Sequence, residues 1–177
     1  MGRPGAAEKA RLICGMISAR PALFDRAMER MAEAFGPVAF AGEPTPFDFT
    51  DYYEAEMGRN LLRRFCAFDG LFNPALLADV KRRTNDLERE LAAAEAGVAR
   101  PINLDPGYVT LAKLVLATTK DRAHRVYLRD GIWAEITLSY HDGAWNPMPW
   151  TYPDYRTDAY LAFFRRVRDH LSRQQAP

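Results

Sequence analysis

Apolar residues recur along the chain in two rhythms, and the change between them divides the sequence into elements. Leu12–Ile17 is a short continuous apolar run with the length of a buried strand. Pro21 then stands where a helix can open without losing a hydrogen bond. Leu23, Phe24, Ala27, Met28, Met31 and Phe35 follow at spacings of three and four, one apolar helical face ended by Gly36-Pro37. Val38–Phe40 reads as a strand. Phe47–Glu56 and Leu61–Leu71 read as extended, joined by Gly58-Arg59-Asn60. Asn73 is a good N-cap and Pro74 fits the first helical position. Leu76, Leu77, Val80, Leu87 and Leu91 line one side of that second helix, interrupted by Thr84, before it frays through Ala92–Ala99.

From Arg100 the period shortens to two. Ile102–Leu104, Tyr108–Leu111, Lys113–Thr119 and His124–Leu138 are rich in β-branched and aromatic residues, and Asp130-Gly131 is a hairpin signal. Asp142-Gly143 marks another tight turn, and Pro147, Pro149 and Pro153 make Trp145–Tyr155 irregular. Tyr160, Leu161, Phe163, Phe164, Val167 and Leu171 define a C-terminal helix. This order predicts an α+β fold: a mostly antiparallel or mixed sheet with helices packed on one face. A ferredoxin-like core, elaborated by a C-terminal hairpin and helix, is one way to build it. No linker divides the chain, so residues 10–172 are expected to form a single domain between flexible termini, 1–9 and 173–177.

Composition changes the picture by exclusion. The 177 residues are 48% hydrophobic and 27% charged, with a net charge of +1. That is the profile of a folded globule of a size that buries about 70% of its extended surface, without disulfide or metal support. It lacks the basic excess of a non-specific nucleic-acid binder. Cys14 and Cys66 lie in apolar settings and read as buried, reduced thiols. With neither a signal peptide nor an apolar run of membrane-spanning length, the expected location is the cytoplasm, with no membrane partner. Oligomeric state is not legible.

The hairpin carries the sharpest geometric expectation. If Asp130-Gly131 is a two-residue loop, Arg129 faces Ile132, Val126 faces Glu135 and His124 faces Thr137. His124, Val126, Leu128, Trp133, Glu135 and Thr137 then share a face. His124 and Glu135 become diagonal neighbours, a pairing suited to acid–base catalysis. The opposite face holds Arg125, Tyr127 and Arg129. With Lys120 and Arg122 just upstream, it suits a phosphate or carboxylate, or a solvated strand edge.

Other candidates are more dispersed. Asp105-Pro106-Gly107 reads as a turn holding Asp105 and Tyr108 toward a cleft, next to Asn103, with Gly107 free to adopt positive φ. Carboxylates gather in Phe47–Gly58, where Glu56, together with Asp105, is a conceivable oxygen ligand set for Mg²⁺; no complete metal motif requires a cofactor. Trp150-Thr151-Tyr152-Pro153-Asp154-Tyr155-Arg156 reads as a shelf for a planar ligand, offering Tyr152 and Asp154, or as cover for a core edge with its polar tips outward. Arg63 and Arg64 point to opposite faces of their strand. Lys81, Thr84, Asn85 and Glu88 form a polar stripe on the second helix.

The runs FDFTDYYEAEMG, KRRTNDLE, NLDPGY, KLVLATTKDRAHRVYL, GIWAEITL and WTYPDYR resemble those of an uncharacterised prokaryotic family, known only as domain of unknown function four-four-one-six. The resemblance spans roughly Arg11 to Arg168. It implies that Asp51, Glu56, Lys81, Asn85, Asn103, Asp105, Tyr108, Lys120, His124, Arg125, Glu135 and Asp154 occupy the family's motif positions, and assigns none a role. Some members carry a GTP-binding label, but here Thr119-Lys120-Asp121 is not the complete Asn-Lys-x-Asp guanine-reading pattern.

Three functional expectations follow. The first is a small enzyme acting by acid–base chemistry on a phosphorylated or carboxylated, nucleotide-like metabolite. His124 and Glu135 would be catalytic, with Arg63, Lys81, Asn85, Asn103, Asp105, Tyr108, Lys120, Arg125, Tyr152 and Asp154 binding substrate. The second is a non-catalytic nucleotide- or RNA-binding module. The third is a protein-interaction or structural domain. An anionic small molecule is the expected partner.

Overall fold

The computed structural model describes residues 2–3, 5–95 and 97–175. Strand β1 (Arg11–Ser18) is buried along its whole length, which accounts for its unbroken apolar run. Leu12, Cys14 and Met16 pack into one core, and Ile13 into another on the opposite face. Helix α1 (Pro21–Phe35) buries Leu23, Phe24, Ala27 and Met31, and Gly36 stops it at φ 93°, its N–H donating to the Ala32 carbonyl. Strands β2 (Val38–Ala41) and β3 (Thr45–Pro46) both pair with β4 (Leu62–Phe68).

Between β3 and β4 the expected extended segment is instead a 3-10 turn (Asp51–Tyr53) running into the short helix α2 (Glu54–Met57). Its inward apolar residues, Tyr53 and Met57, are four apart and pack with Phe47, Leu61 and Ile17. That is helical spacing, masked in the sequence by the neighbouring aromatics and carboxylates.

Asn73 caps as expected, its side chain accepting from the Ala75 N–H, at a 3-10 turn (Pro74–Leu76) that leads into α3 (Leu77–Ala93). Strands β5 (Asn103–Val109), β6 (Lys113–Thr118), β7 (Val126–Arg129), β8 (Ile132–His141) and β9 (Ala144–Pro147) follow. A 3-10 turn (Pro153–Arg156) then precedes α4 (Asp158–Gln175). The Asp-Pro-Gly expected as a turn lies inside β5. Pro106 and Gly107 pair there with Cys14 and Ile13 of β1, and Gly107 is not among the glycines at positive φ.

The sheet is antiparallel throughout, in the order β2-β4-β1-β5-β6-β8-β7, with β9 also on β8. Its first half, β1-α1-β2-β4-α3-β5 with β1 between β4 and β5, has the split β-α-β order of a ferredoxin-like core. The later strands extend its β5 edge. Helices α1 and α3 pack on one face around Leu12, Cys14, Met16, Cys66, Phe68 and Leu104. On the other face α4 packs its Tyr160, Phe163, Phe164 and Val167 against Phe65, Val109, Leu114 and Leu138. The helical layer expected on one face is thus the α1/α3 layer, and the C-terminal elaboration adds a second.

Cys14 and Cys66 face each other across β1 and β4 as free, buried thiols. Burial pushes Cys66 up to about 12. Helix α4 runs through the expected loose end as far as Gln175, whose side-chain amide donates to the Lys9 carbonyl. Residues 1, 4, 176 and 177 of the expected loose termini lie outside the described residues. Among the described residues no helix is long and apolar enough to cross a membrane.

Candidate functional site

A parting of two neighbouring strands creates the site. β5 and β6 pair only from Gly107↔Leu116 to Val109↔Leu114. Beyond that, β5 continues on β1 to Asn103, while β6 continues on β8 to Thr118. The backbone groups of β5 that would have bonded to β6 are satisfied otherwise. The Leu104 N–H donates to Glu88 Oε1 at 2.7 Å, and the Leu104 carbonyl accepts from Lys81 Nζ at 2.7 Å. By strand alternation Pro106 turns toward the same edge as Leu104, and it has no N–H to satisfy. Left unpaired, each buried backbone group would cost about 1–3 kcal/mol. The polar stripe of α3 therefore takes the place of the missing strand partner. Lys81 and Thr84 are buried, and Glu88 sits with its carboxyl pushed up by burial against the pull of Lys81 and Arg100.

Gly107 marks where pairing ends. A Cβ there would stand 2.4 Å from the Val115 carbonyl oxygen and 2.6 Å from Leu116 Cδ2. Gly15 plays a related part on β1. Arg63 and Asp105 lie on the two strands flanking it, and a Cβ on Gly15 would fall 2.9 Å from Arg63 Nη1. Its absence lets the guanidinium cross β1 to reach Asp105.

The opening holds a cavity of about 370 Å³ lined by six cations, Arg63, Lys81, Arg100, Lys120, Arg122 and Arg125, and three carboxylates, Asp105, Asp154 and Glu135. At its floor Arg63, 4% exposed, bridges two carboxylates: Nη1 lies 3.0 Å from Asp105 Oδ2 and Nη2 3.3 Å from Asp154 Oδ2. Asn103 also donates to Asp105 Oδ2 at 2.7 Å, and Arg100 binds Asn103 and Glu88. Burial tends to raise the Asp105 carboxyl, but Arg63 and Lys81 outweigh it and hold it below its ordinary value. For Asp154 burial prevails over Arg63, and its carboxyl is pushed up. Three polar atoms around Arg63 are buried with no hydrogen-bond partner among the described residues: Arg63 Nε and the hydroxyls of Tyr155 and Tyr160, of which only Arg63 and Tyr155 belong to residues that line the cavity.

The mouth is different. Lys120 and Arg122 are exposed and have no carboxylate partner among the described residues. Lys120 Nζ donates to the Tyr52 hydroxyl at 2.6 Å and lies 4.2 Å from that ring's centroid. Phe49, Tyr52 and Tyr152 stand exposed on the rim.

The hairpin register departs from the expectation. Arg129 faces Ile132, but a bulge at Leu128 then sets Tyr127 opposite Trp133 and Val126 opposite Ala134, not Glu135. One extra residue reverses the faces of everything before it. Arg125, expected with Tyr127 on the face away from Glu135, now lies against it. Its Nε is 2.7 Å from Glu135 Oε2, and its Nη1 donates to the Lys120 carbonyl at 2.9 Å. His124 Nε2 stands 3.2 Å from the same oxygen, but its ring is stacked on Trp150 (centroids 5.2 Å, 10°) and does not line the cavity.

Arg63, Lys81, Asn103, Asp105, Lys120, Arg125, Glu135, Tyr152 and Asp154 thus line one cavity. Asn85 and Glu56 line a neighbouring cavity of about 490 Å³ beyond the Lys81–Arg100 wall, so Glu56 is not set beside Asp105 as a shared metal ligand. Tyr108 does not line the cavity either. It is three residues from Asp105, hence on the other face of β5, with its ring 6.2 Å from Phe72. Among the described residues no three His, Cys, Asp or Glu side chains are grouped to hold a metal ion. Arg100 and Tyr155 also line the cavity but were not among the expected site residues, although Tyr155 lies in the aromatic shelf segment. Arg100 carries no local signal. Tyr155 reads in the sequence as one more residue of an aromatic segment.

No curated protein and no solved structure matches this chain. A family model, described as Domain of unknown function (DUF4416), matches residues 8–171, nearly the whole fold and all of both cavity linings. The chain belongs to that family.

Proposed function

We propose that this protein binds a phosphorylated small metabolite in the cavity between β5 and β6. The observation that carries this reading is the excess of cations in the lining. The carboxylates of the lining are engaged by Arg63 and Arg125, whereas Lys120 and Arg122 stand at the mouth with no carboxylate partner among the described residues. A phosphate there would gain charge-assisted hydrogen bonds, and the rim rings of Phe49, Tyr52 and Tyr152 offer faces for the rest of the molecule. The cations gather in one concave space, which suits a small molecule better than a nucleic-acid strand. Calorimetric titration with inorganic phosphate and with phenyl phosphate tests this. Both are expected to bind, more weakly at high salt, and the double variant Lys120→Ala/Arg122→Ala should weaken both at least tenfold. Each hydrogen bond to a charged group is worth about 1.5–3 kcal/mol. Binding indifferent to salt and to the double substitution would sink the reading.

A second reading, turnover of the ligand by acid–base chemistry, is favoured by the opposed displacements of the Asp105 and Asp154 carboxyls in one cavity. It gives the acid and base roles to Asp154 and Asp105, since Glu135 is held by Arg125 and His124 stacks outside the cavity. A screen of phosphorylated metabolites for turnover should find a substrate whose conversion, but not binding, is lost in Asp154→Asn. A substrate converted equally well by that variant would exclude Asp154 as the acid.

A further inference from the structure

Resting on the phosphate reading of the mouth, we infer that the floor of the same cavity is a subsite for neutral hydroxyl groups, so that the ligand class is a phosphorylated sugar or polyol. The floor offers two kinds of group at once. Asp105 and Asp154 are acceptors, each already taking one bond from Arg63. The Tyr155 hydroxyl, in a side chain 2% exposed, and the Nε of Arg63, 4% exposed, are donors with no partner among the described residues. Buried donors of this kind are rare in native structures and point to a missing partner.

The chemistry of that partner follows by elimination. A second anionic group would satisfy the donors but meet the two carboxylates of Asp105 and Asp154. An ammonium group would suit the carboxylates but meet the guanidinium of Arg63. An apolar group would leave the hydroxyl and the Nε–H unpaired. A hydroxyl is neutral and both donates and accepts, so it matches the whole floor, and unlike a planar amide it comes as the several adjacent groups of a sugar or polyol. The mouth and floor lie in one cavity of about 370 Å³, room for a phosphate and a sugar together.

Tyr155 makes this testable apart from folding. Its ring packs against Phe65, Tyr160 and Phe164, contacts that a phenylalanine keeps. The experiment is calorimetric titration of the full chain and Tyr155→Phe with ribose 5-phosphate and inorganic phosphate, together with thermal melts of both proteins without ligand. Ribose 5-phosphate is expected to bind the native protein at least tenfold more tightly than inorganic phosphate. Tyr155→Phe should lose threefold or more of ribose 5-phosphate affinity, keep its phosphate affinity, and melt no lower than the native protein because the hydroxyl it lacks had no partner.

The inference is overturned if ribose 5-phosphate gains nothing over inorganic phosphate, if its gain survives in Tyr155→Phe, or if that variant melts lower. In all three cases phosphate bound through Lys120 and Arg122 leaves the mouth reading intact. If neither ligand binds, both readings fall together.

Discussion

Asp154 is 3% exposed, and its carboxylate shares one buried guanidinium with Asp105. Arg63 is itself enclosed by the rings of Phe47, Phe65 and Tyr155, with Cζ 5.2–5.6 Å from their centroids, contacts that favour a desolvated cation. Arg63 and Lys81 together hold Asp105 below its ordinary value, whereas Asp154 has Arg63 alone and is left short of compensation. The consequence for stability has a definite sign. Because burial raises the folded-state value of Asp154 above its ordinary 3.8, the native state keeps a proton that the unfolded chain has released. Its contribution is therefore fully present below 3.8 and is lost as pH rises through the raised value. Urea melts across that range should show the native protein losing stability relative to Asp154→Asn as pH rises, whatever slope the other carboxyls give to both proteins. Parallel profiles for the two proteins would mean that Asp154 titrates as it does in the unfolded chain. Asp105, displaced downward, acts oppositely, stabilising at higher pH and losing that effect under acid conditions.

At the scale of elements, the cavity depends on where β5 and β6 stop pairing. Gly107 is the last β5 residue in register with β6, and its missing Cβ is what allows the Val115 carbonyl to approach. Gly107→Ala would force backbone against methyl, which no rotamer change relieves. The expected cost is about 1–3 kcal/mol, read as a melting point lower by about 2–4 °C for each kcal/mol in a chain of this length. An unchanged midpoint in both heat and urea would show that the strands can part further without penalty. On the other side of the opening, α3 bonds the Leu104 backbone through Lys81 and Glu88. A helix that packs on one face of the sheet thereby helps line a cavity whose floor residues, Arg63 and Asp105, share parity with the α4-facing residues Phe65 and Val109. The polar stripe on α3 was visible in the sequence, but its burial was not. A solvated stripe and one bonded to a parted strand have the same spacing.

At the scale of the whole molecule, a net charge of +1 spreads over a chain in which the cavity between β5 and β6 gathers six cations. Local pattern was enough to determine the three long helices, the buried central strand, the two Asp-Gly turns and the α+β class, because each depends on neighbours within a few residues. The hairpin turns illustrate this: Asp130 and Gly131 take φ of 55° and 74°, and Asp142 and Gly143 take 51° and 76°, as that sequence favours. The runs that carry the family resemblance likewise contain most of the polar residues that line the cavity, though not their arrangement. Tertiary structure alone decided the rest. Whether Asp-Pro-Gly turns or continues depends on β1 lying beside it. Which face Arg125 takes depends on one bulged residue, since a slip of one reverses every side chain in a strand. Where the sheet opens depends on a carbonyl, a proline and two side chains from a distant helix meeting at Leu104. Local sequence sets the period of each element. The site arises from how far neighbouring elements stay in register, a property that no single segment contains.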